Sequence, residues 1–314
     1  PALLGLAGWG AATAGGWARS RGRPARWGMG LALTAGLLLT GAHSAYDYFA
    51  LWANDPRLFD ARQVGVRRVI ESALALAADG DVWVTARSHP FAQYAFALTL
   101  DDAGVRAFDA APDCLPYAHD RPDPTTYAVI PMMDPVSLAA LQAAYPAGRE
   151  PTVVMHPDGY AFAVFWQVPA GVQAPAPEQS VDVRFAGGLR LVGWDAPLQA
   201  AAGQPLTVRL HWAAAGPLAD PATGFVHLGQ GRLSQPMLAQ HDGPLCPGWP
   251  ASRWEPGYRY IETRPLSLSA DAPAGKYDIR VGVYDPASGA RLAVIQADRP
   301  VEDDRVILTD FTVP

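Results

Sequence analysis

The sequence predicts a multidomain chain: a transmembrane α-hairpin, then a small α/β domain, then an antiparallel, immunoglobulin-like β-sandwich. Three observations carry this. Residues 27–46 contain no Asp, Glu, Lys or Arg, and twenty helical residues at ~1.5 Å each span the ~30 Å hydrocarbon core of a bilayer. Residues 58–168 alternate helical and strand patterns, the order of an α/β layer structure. Residues 180–314 carry short runs with period-two alternation, split by turn residues, and no convincing helix.

The first segment, 1–53, reads as two membrane helices, at about 1–18 and 27–46, joined by a cytoplasmic loop bearing Arg19, Arg21, Arg23 and Arg26. The arginines mark the inner side, so residues from about 50 onward lie outside. Small residues recur every fourth position (Gly8, Ala12 and Gly16, then Gly28, Ala32, Gly36 and Thr40), which gives one smooth face per helix for close helix approach. Two alternatives stand: the first run as a linker, and the second as a signal peptide with Ala42-His43-Ser44 as its small-x-small site. The chain begins in apolar sequence and reads as the C-terminal part of a longer protein.

The α/β domain is expected over 54–169. An amphipathic helix over 58–78 carries Val66, Val69, Ile70, Ala73, Leu74 and Ala77 on one face. Strands follow at 81–86, 105–108, 127–131, 152–156 and 160–168, with helices at 91–100 and 135–144 and a Pro/Asp-rich loop at 112–124. Residues 170–179 form a Pro/Ala linker. The sandwich occupies 180–314.

Composition narrows the function. The net charge is -6 and no basic stripe is interleaved with aromatics, which excludes nucleic acid as a partner. Lys276 is the only lysine and Asn54 the only asparagine, a bias of a GC-rich bacterial genome. The cysteines, Cys114 and Cys246, read as two isolated small hydrophobes; an inter-domain disulfide in an oxidising compartment is the alternative. Hydrolase, zinc, redox and nucleotide-binding motifs are absent, so no catalytic residue, metal site or cofactor is expected.

The densest polar and aromatic cluster is 240–244 followed by 249–257. Exposed Trp249, Trp254 and Tyr258 beside His241, Asp242 and Arg253 would offer faces for sugar rings and edges for hydroxyls, a candidate glycan-binding set. The competing reading is a crossover loop whose aromatics are buried anchors. His227, His241 and Asp242 as metal ligands lack regular spacing.

The order of parts resembles the C-terminal region of bacterial family-39-type glycosyltransferases, polytopic GT-C enzymes related to protein mannosyltransferases and to the lipid A aminoarabinose transferase. The resemblance rests on Tyr48-Phe49-Ala50-Leu51-Trp52-Ala53 with Asp55-Pro56, and on Phe59-Asp60-Ala61-Arg62. In the sandwich it rests on Leu189-Arg190-Leu191-Val192-Gly193-Trp194, Phe225-Val226-His227-Leu228, Gln240-His241-Asp242-Gly243-Pro244, Ser252-Arg253-Trp254-Glu255-Pro256-Gly257 and Gly282-Val283-Tyr284-Asp285-Pro286. It implies a non-catalytic, extracytoplasmic portion of a membrane glycosyltransferase transferring a hexosyl or pentosyl unit from a polyprenyl-phosphate-linked donor. The implied partners are the lipid bilayer, an N-terminal transmembrane bundle and a glycan or envelope acceptor. The family's catalytic acidic residue lies in a region this sequence does not contain. The rival class is a membrane-anchored carbohydrate-binding or adhesion protein, or a structural spacer.

Overall fold

A computed structural model describes residues 2–52, 55–85, 104–109, 114–216, 218, 222–230 and 237–314. They form two compact units, Pro1–Val64 and Gly65–Pro314. The expected helix at 91–100 lies outside the described residues.

The first unit is helical. α1 (Ala2–Ser20) and α2 (Arg23–Tyr46) lie against each other. The turn between them passes through Gly22 at φ +95°, a conformation that favours glycine, and Pro24 pre-sets the first turn of α2. A π-helical stretch, Asp47–Trp52, follows. α2 has no buried residue, and its Trp27, Leu31, Leu37, Leu38 and Leu39 are exposed. Among the described residues no helix is long and apolar enough to cross a membrane. α2 has the length, but its Gly, Ala, Thr and His residues dilute the leucines.

The single helix expected over 58–78 is two helices, α3 (Pro56–Ala61) and α4 (Val64–Leu76). Gln63 separates them at φ +54°. Asp55 caps α3 by accepting from the Arg57 N–H.

The second unit contains three sheets among the described residues. The strands of the first are β1 (Asp81–Thr85), β2 (Val105–Phe108), β4 (Thr125–Val129), β5 (Arg149–Met155) and β6 (Ala161–Val168). Their order is β2-β1-β4-β6-β5, parallel across β2-β1-β4 and antiparallel beyond. β1 is flanked on both sides, and Val82, Trp83, Val84 and Thr85 are all buried, which explains its unbroken apolar run. α4 packs on β6 through Gly65, where a Cβ would come within 2.5 Å of the Phe162 ring. α5 (Ser137–Ala144) contributes Leu141 to the core.

The other two sheets are antiparallel. One has the order β14-β7-β8-β9-β12-β3, built from β14 (Val294–Ala297), β7 (Gln179–Phe185), β8 (Leu189–Asp195), β9 (Pro205–Ala214), β12 (Tyr258–Ser267) and β3 (Cys114–Ala118). The other has the order β11-β10-β13-β16-β15, from β11 (Met237–Pro244), β10 (Thr223–Gly229), β13 (Gly275–Tyr284), β16 (Arg305–Val313) and β15 (Val301–Glu302). Their inner faces share one apolar core, which also includes Trp83, Tyr127, Leu141 and Tyr145. This architecture is compatible with a β-sandwich; the strand order does not define the specific immunoglobulin-like arrangement.

Two expectations change here. β3 arises from the segment expected to be a loop, and it is an edge strand of the six-stranded sheet, where Pro116 costs no interior ladder bond. Its backbone is also held from the mixed sheet and α5. The Tyr127 hydroxyl donates to Pro116 O at 2.9 Å and accepts from Ala118 N at 2.8 Å, and the Tyr145 hydroxyl donates to Ala118 O at 2.7 Å. The 170–179 stretch therefore falls inside one compact unit rather than between two. Second, Cys114 and Cys246 are not isolated hydrophobes: they form a disulfide, Cα atoms 5.3 Å apart, across 132 residues of sequence. Sequence distance hid a contact that the β3–β12 pairing creates.

Candidate functional site

The set His241, Asp242, Trp249, Arg253, Trp254 and Tyr258 does not assemble into one surface. Trp249, Trp254 and Tyr258 are buried, with at most 3% of their surface exposed, so their faces are closed to a sugar. Trp254 stacks on Tyr260 with centroids 4.1 Å apart and donates its indole N–H to Trp249 O. Trp249 meets Trp83 edge-on at 5.0 Å, and Tyr258 meets the same ring at 5.2 Å. Arg253 lies over the outer face of Trp249, 4.6 Å from its centroid.

Ionic contacts lock this aromatic wall in place. Arg106 makes a two-pronged pair with Glu255 at 2.7 Å and reaches Asp81 at 2.9 Å. Arg121 stands on the other side of Asp81 and over Tyr258. Burial alone would raise the Asp81 carboxyl, but Arg106 and Arg121 outweigh it and hold it below the usual range.

His241 and Asp242 lie in β11 rather than in a loop. β11 is an edge strand, where Asp, Gly and Pro are tolerated and blunt further pairing. Adjacent residues point to opposite faces. His241 approaches Arg264 at 3.4 Å, and Asp242 faces His227 at 3.2 Å and accepts from the Tyr284 hydroxyl at 3.5 Å. Burial, against the pull of Asp242, pushes His227 below its ordinary value. Among the described residues no group of three or more His, Cys, Asp or Glu side chains is placed to hold a metal.

The residues that do converge on a cavity were not singled out by sequence. A half-open cleft of about 440 Å³ lies on the six-stranded sheet, lined by Arg184, Arg190, Arg259, Ala213, Ala215 and Ile295 among others. Strand alternation puts these arginines outward: Arg184 between inward Val183 and Phe185, Arg190 between Leu189 and Leu191, and Arg259 between Tyr258 and Tyr260. Register then aligns them. Arg184 pairs with Arg190 and Arg190 with Ala213, while the pairing of Tyr260 with Trp212 brings their chain neighbours Arg259 and Ala213 together. The small side chain of Ala213 leaves the gap that the arginines surround.

The charges are unbalanced. Asp182 takes Arg190 at 2.7 Å and stands 3.7 Å from Arg184. Among the described residues no carboxylate pairs with Arg259; its Nη2 lies 2.8 Å from His119 Nε2. The Ala174 N–H donates to His119 Nδ1 at 3.2 Å. A neutral imidazole accepts at one nitrogen only, so His119 cannot satisfy both donors. Burial, then Arg259, pushes His119 below its ordinary value and keeps it neutral. Burial, then the Arg190 charge, lowers Arg259 as well. Each strand's alternation was legible, but the adjacency of β7, β8, β9 and β12 was not.

Fold and site thus define a helix-led, β-rich module with a basic surface cleft. No family model matches the sequence, and no curated protein matches it. Among solved structures, the C-terminal domain of Wzt is similar at 12% identity over 44% of this chain and 82% of its own length, with a TM-score of 0.30. A likeness at that level carries no argument about fold or function.

Proposed function

We propose that this chain is the extracytoplasmic, C-terminal and non-catalytic portion of an integral-membrane glycosyltransferase with a polyprenyl-phosphate-linked donor. Its sheet unit would present the arginine cleft to an envelope acceptor. The observation that carries the extracytoplasmic reading is the Cys114–Cys246 disulfide, since such bonds persist in oxidising compartments and are rare in the cytosol. The membrane reading is supported by α2, which buries nothing and exposes Trp27 and five leucines. Gly- and Ala-rich helices of modest hydropathy suit a bundle, where helices approach closely, better than a lone anchor. The glycosyltransferase reading rests on the sequence phrases of the resemblance. Several of them are architectural: Arg253-Trp254-Glu255 supplies an anchor and an ion pair of the aromatic wall.

A membrane-anchored carbohydrate-binding or adhesion protein is the second reading, favoured by the cleft, which needs no catalytic half. A direct test expresses residues 1–314 in a bacterial host. The chain is expected in the carbonate-washed membrane fraction, with no sugar transfer from a polyprenyl-phosphate-linked donor to envelope acceptors. Full recovery in the soluble fraction would overturn the anchor, and turnover by this chain would overturn the non-catalytic assignment.

A further inference from the structure

We infer that the arginine cleft is an anion-recognition site that takes the carboxylate or phosphate of an acidic glycan. The inference deepens the reading of the cleft as the acceptor-facing surface and rests on it.

Guanidinium forks match carboxylate and phosphate oxygens two at a time, and three of them converge here on one cavity. Arg184 and Arg190 are direct register partners, an arrangement of like charges that is unfavourable unless something compensates it. One carboxylate, Asp182, serves both, and Arg259 has only an imidazole whose single acceptor site the Ala174 N–H also claims. An incoming anion would relieve both deficits. The excess is also local: it sits on a chain whose net charge is -6.

Shape selects the occupant. The cleft is recessed and of ligand size, so it receives a protruding group rather than a flat bilayer surface. It lies on a sheet face whose strands β7, β8, β9 and β12 are each paired on both sides. The edge strand beside the cleft, β14, carries Ile295 but none of the arginines, so an extended acidic peptide adding a strand there would not lie over them. Side-chain donors around an alanine floor suit a sugar ring bearing an acidic group.

The test is titration calorimetry on the full chain in mild detergent, with trigalacturonate as the acidic glycan, galactotriose as its neutral counterpart, inorganic phosphate, and vesicles containing anionic phospholipid. Trigalacturonate is expected to bind with an affinity that falls with salt, and galactotriose not to bind. Arg259→Gln is expected to weaken trigalacturonate at least tenfold without changing the thermal midpoint. Arg190→Gln provides the same readout should the first variant fold poorly. Failure of both trigalacturonate and phosphate to bind, equal affinity in the variants, or binding to vesicles alone would overturn the proposal. Membrane retention and sugar transfer are separate readouts: a membrane-retained chain that ignores these anions loses the cleft proposal only, and a soluble chain that binds them loses the anchor only.

Discussion

Trp254 shows how a residue type can point to two opposite roles. An aromatic beside Arg, Asp and His in a Pro-rich stretch reads as a sugar platform, yet its ring lies flat on Tyr260 and none of its surface is exposed. Its N–H is spent on Trp249 O, as a buried indole requires. Trp254→Ala should therefore lower unfolding free energy by about 3–5 kcal/mol, the cost of a large aromatic-to-alanine cavity, measured by urea denaturation. A variant of unchanged stability would return the residue to the surface. Arg259 is the converse case, an unremarkable outward residue whose meaning comes from its neighbours on other strands.

At the scale of elements, the cystine joins β3 to the loop after β11 and closes 132 residues. In the chain-entropy account a loop of that length is worth about 5 kcal/mol, with native strain and residual unfolded structure reducing it. Cys114→Ser with Cys246→Ser should lower the denaturant midpoint markedly, and reduction of the native chain should do the same. An unchanged midpoint would mean that β3 is held by β12, Tyr127 and Tyr145 alone. These elements also mark what sequence could reveal. Alternating runs such as β9, β12 and β13, and the unbroken apolar run of β1, were legible because burial on one or both faces writes itself into the pattern. β3 was not, because Pro116 reads as a strand breaker unless one knows that the strand is at an edge. β11 was not, because its polar residues are those of an edge strand. The helix over 58–78 was continuous by apolar spacing, and the left-handed turn at Gln63 left no mark in that spacing. The arginine cleft was illegible for the same reason as the disulfide: both depend on which strands become neighbours.

At the scale of the whole molecule, charge burial sets the response to pH. Burial lowers His119, His211, His227 and His241 from an unfolded value of 6.5. Each binds fewer protons in the folded chain than in the unfolded one as pH falls through that value, so stability is full above about pH 6.5 and declines below it. Asp81, held down by Arg106 and Arg121 against burial, contributes stability above its unfolded value of 3.8 that is lost as pH falls below it. Thermal midpoints should fall from about pH 7.5 to pH 5 and fall again below about pH 4; a higher midpoint at pH 5 would contradict this assignment.

The proposed function implies a topology: an N-terminal hairpin whose arginine loop stays inside, and a disulfide-linked sheet unit outside that offers its cleft to the envelope. Alkaline phosphatase, active only after export, tests it when fused in separate experiments after Gly22 and after Pro314 in a bacterial host. The account predicts an inactive reporter at Gly22 and an active one at Pro314; an inactive reporter at Pro314 would contradict it.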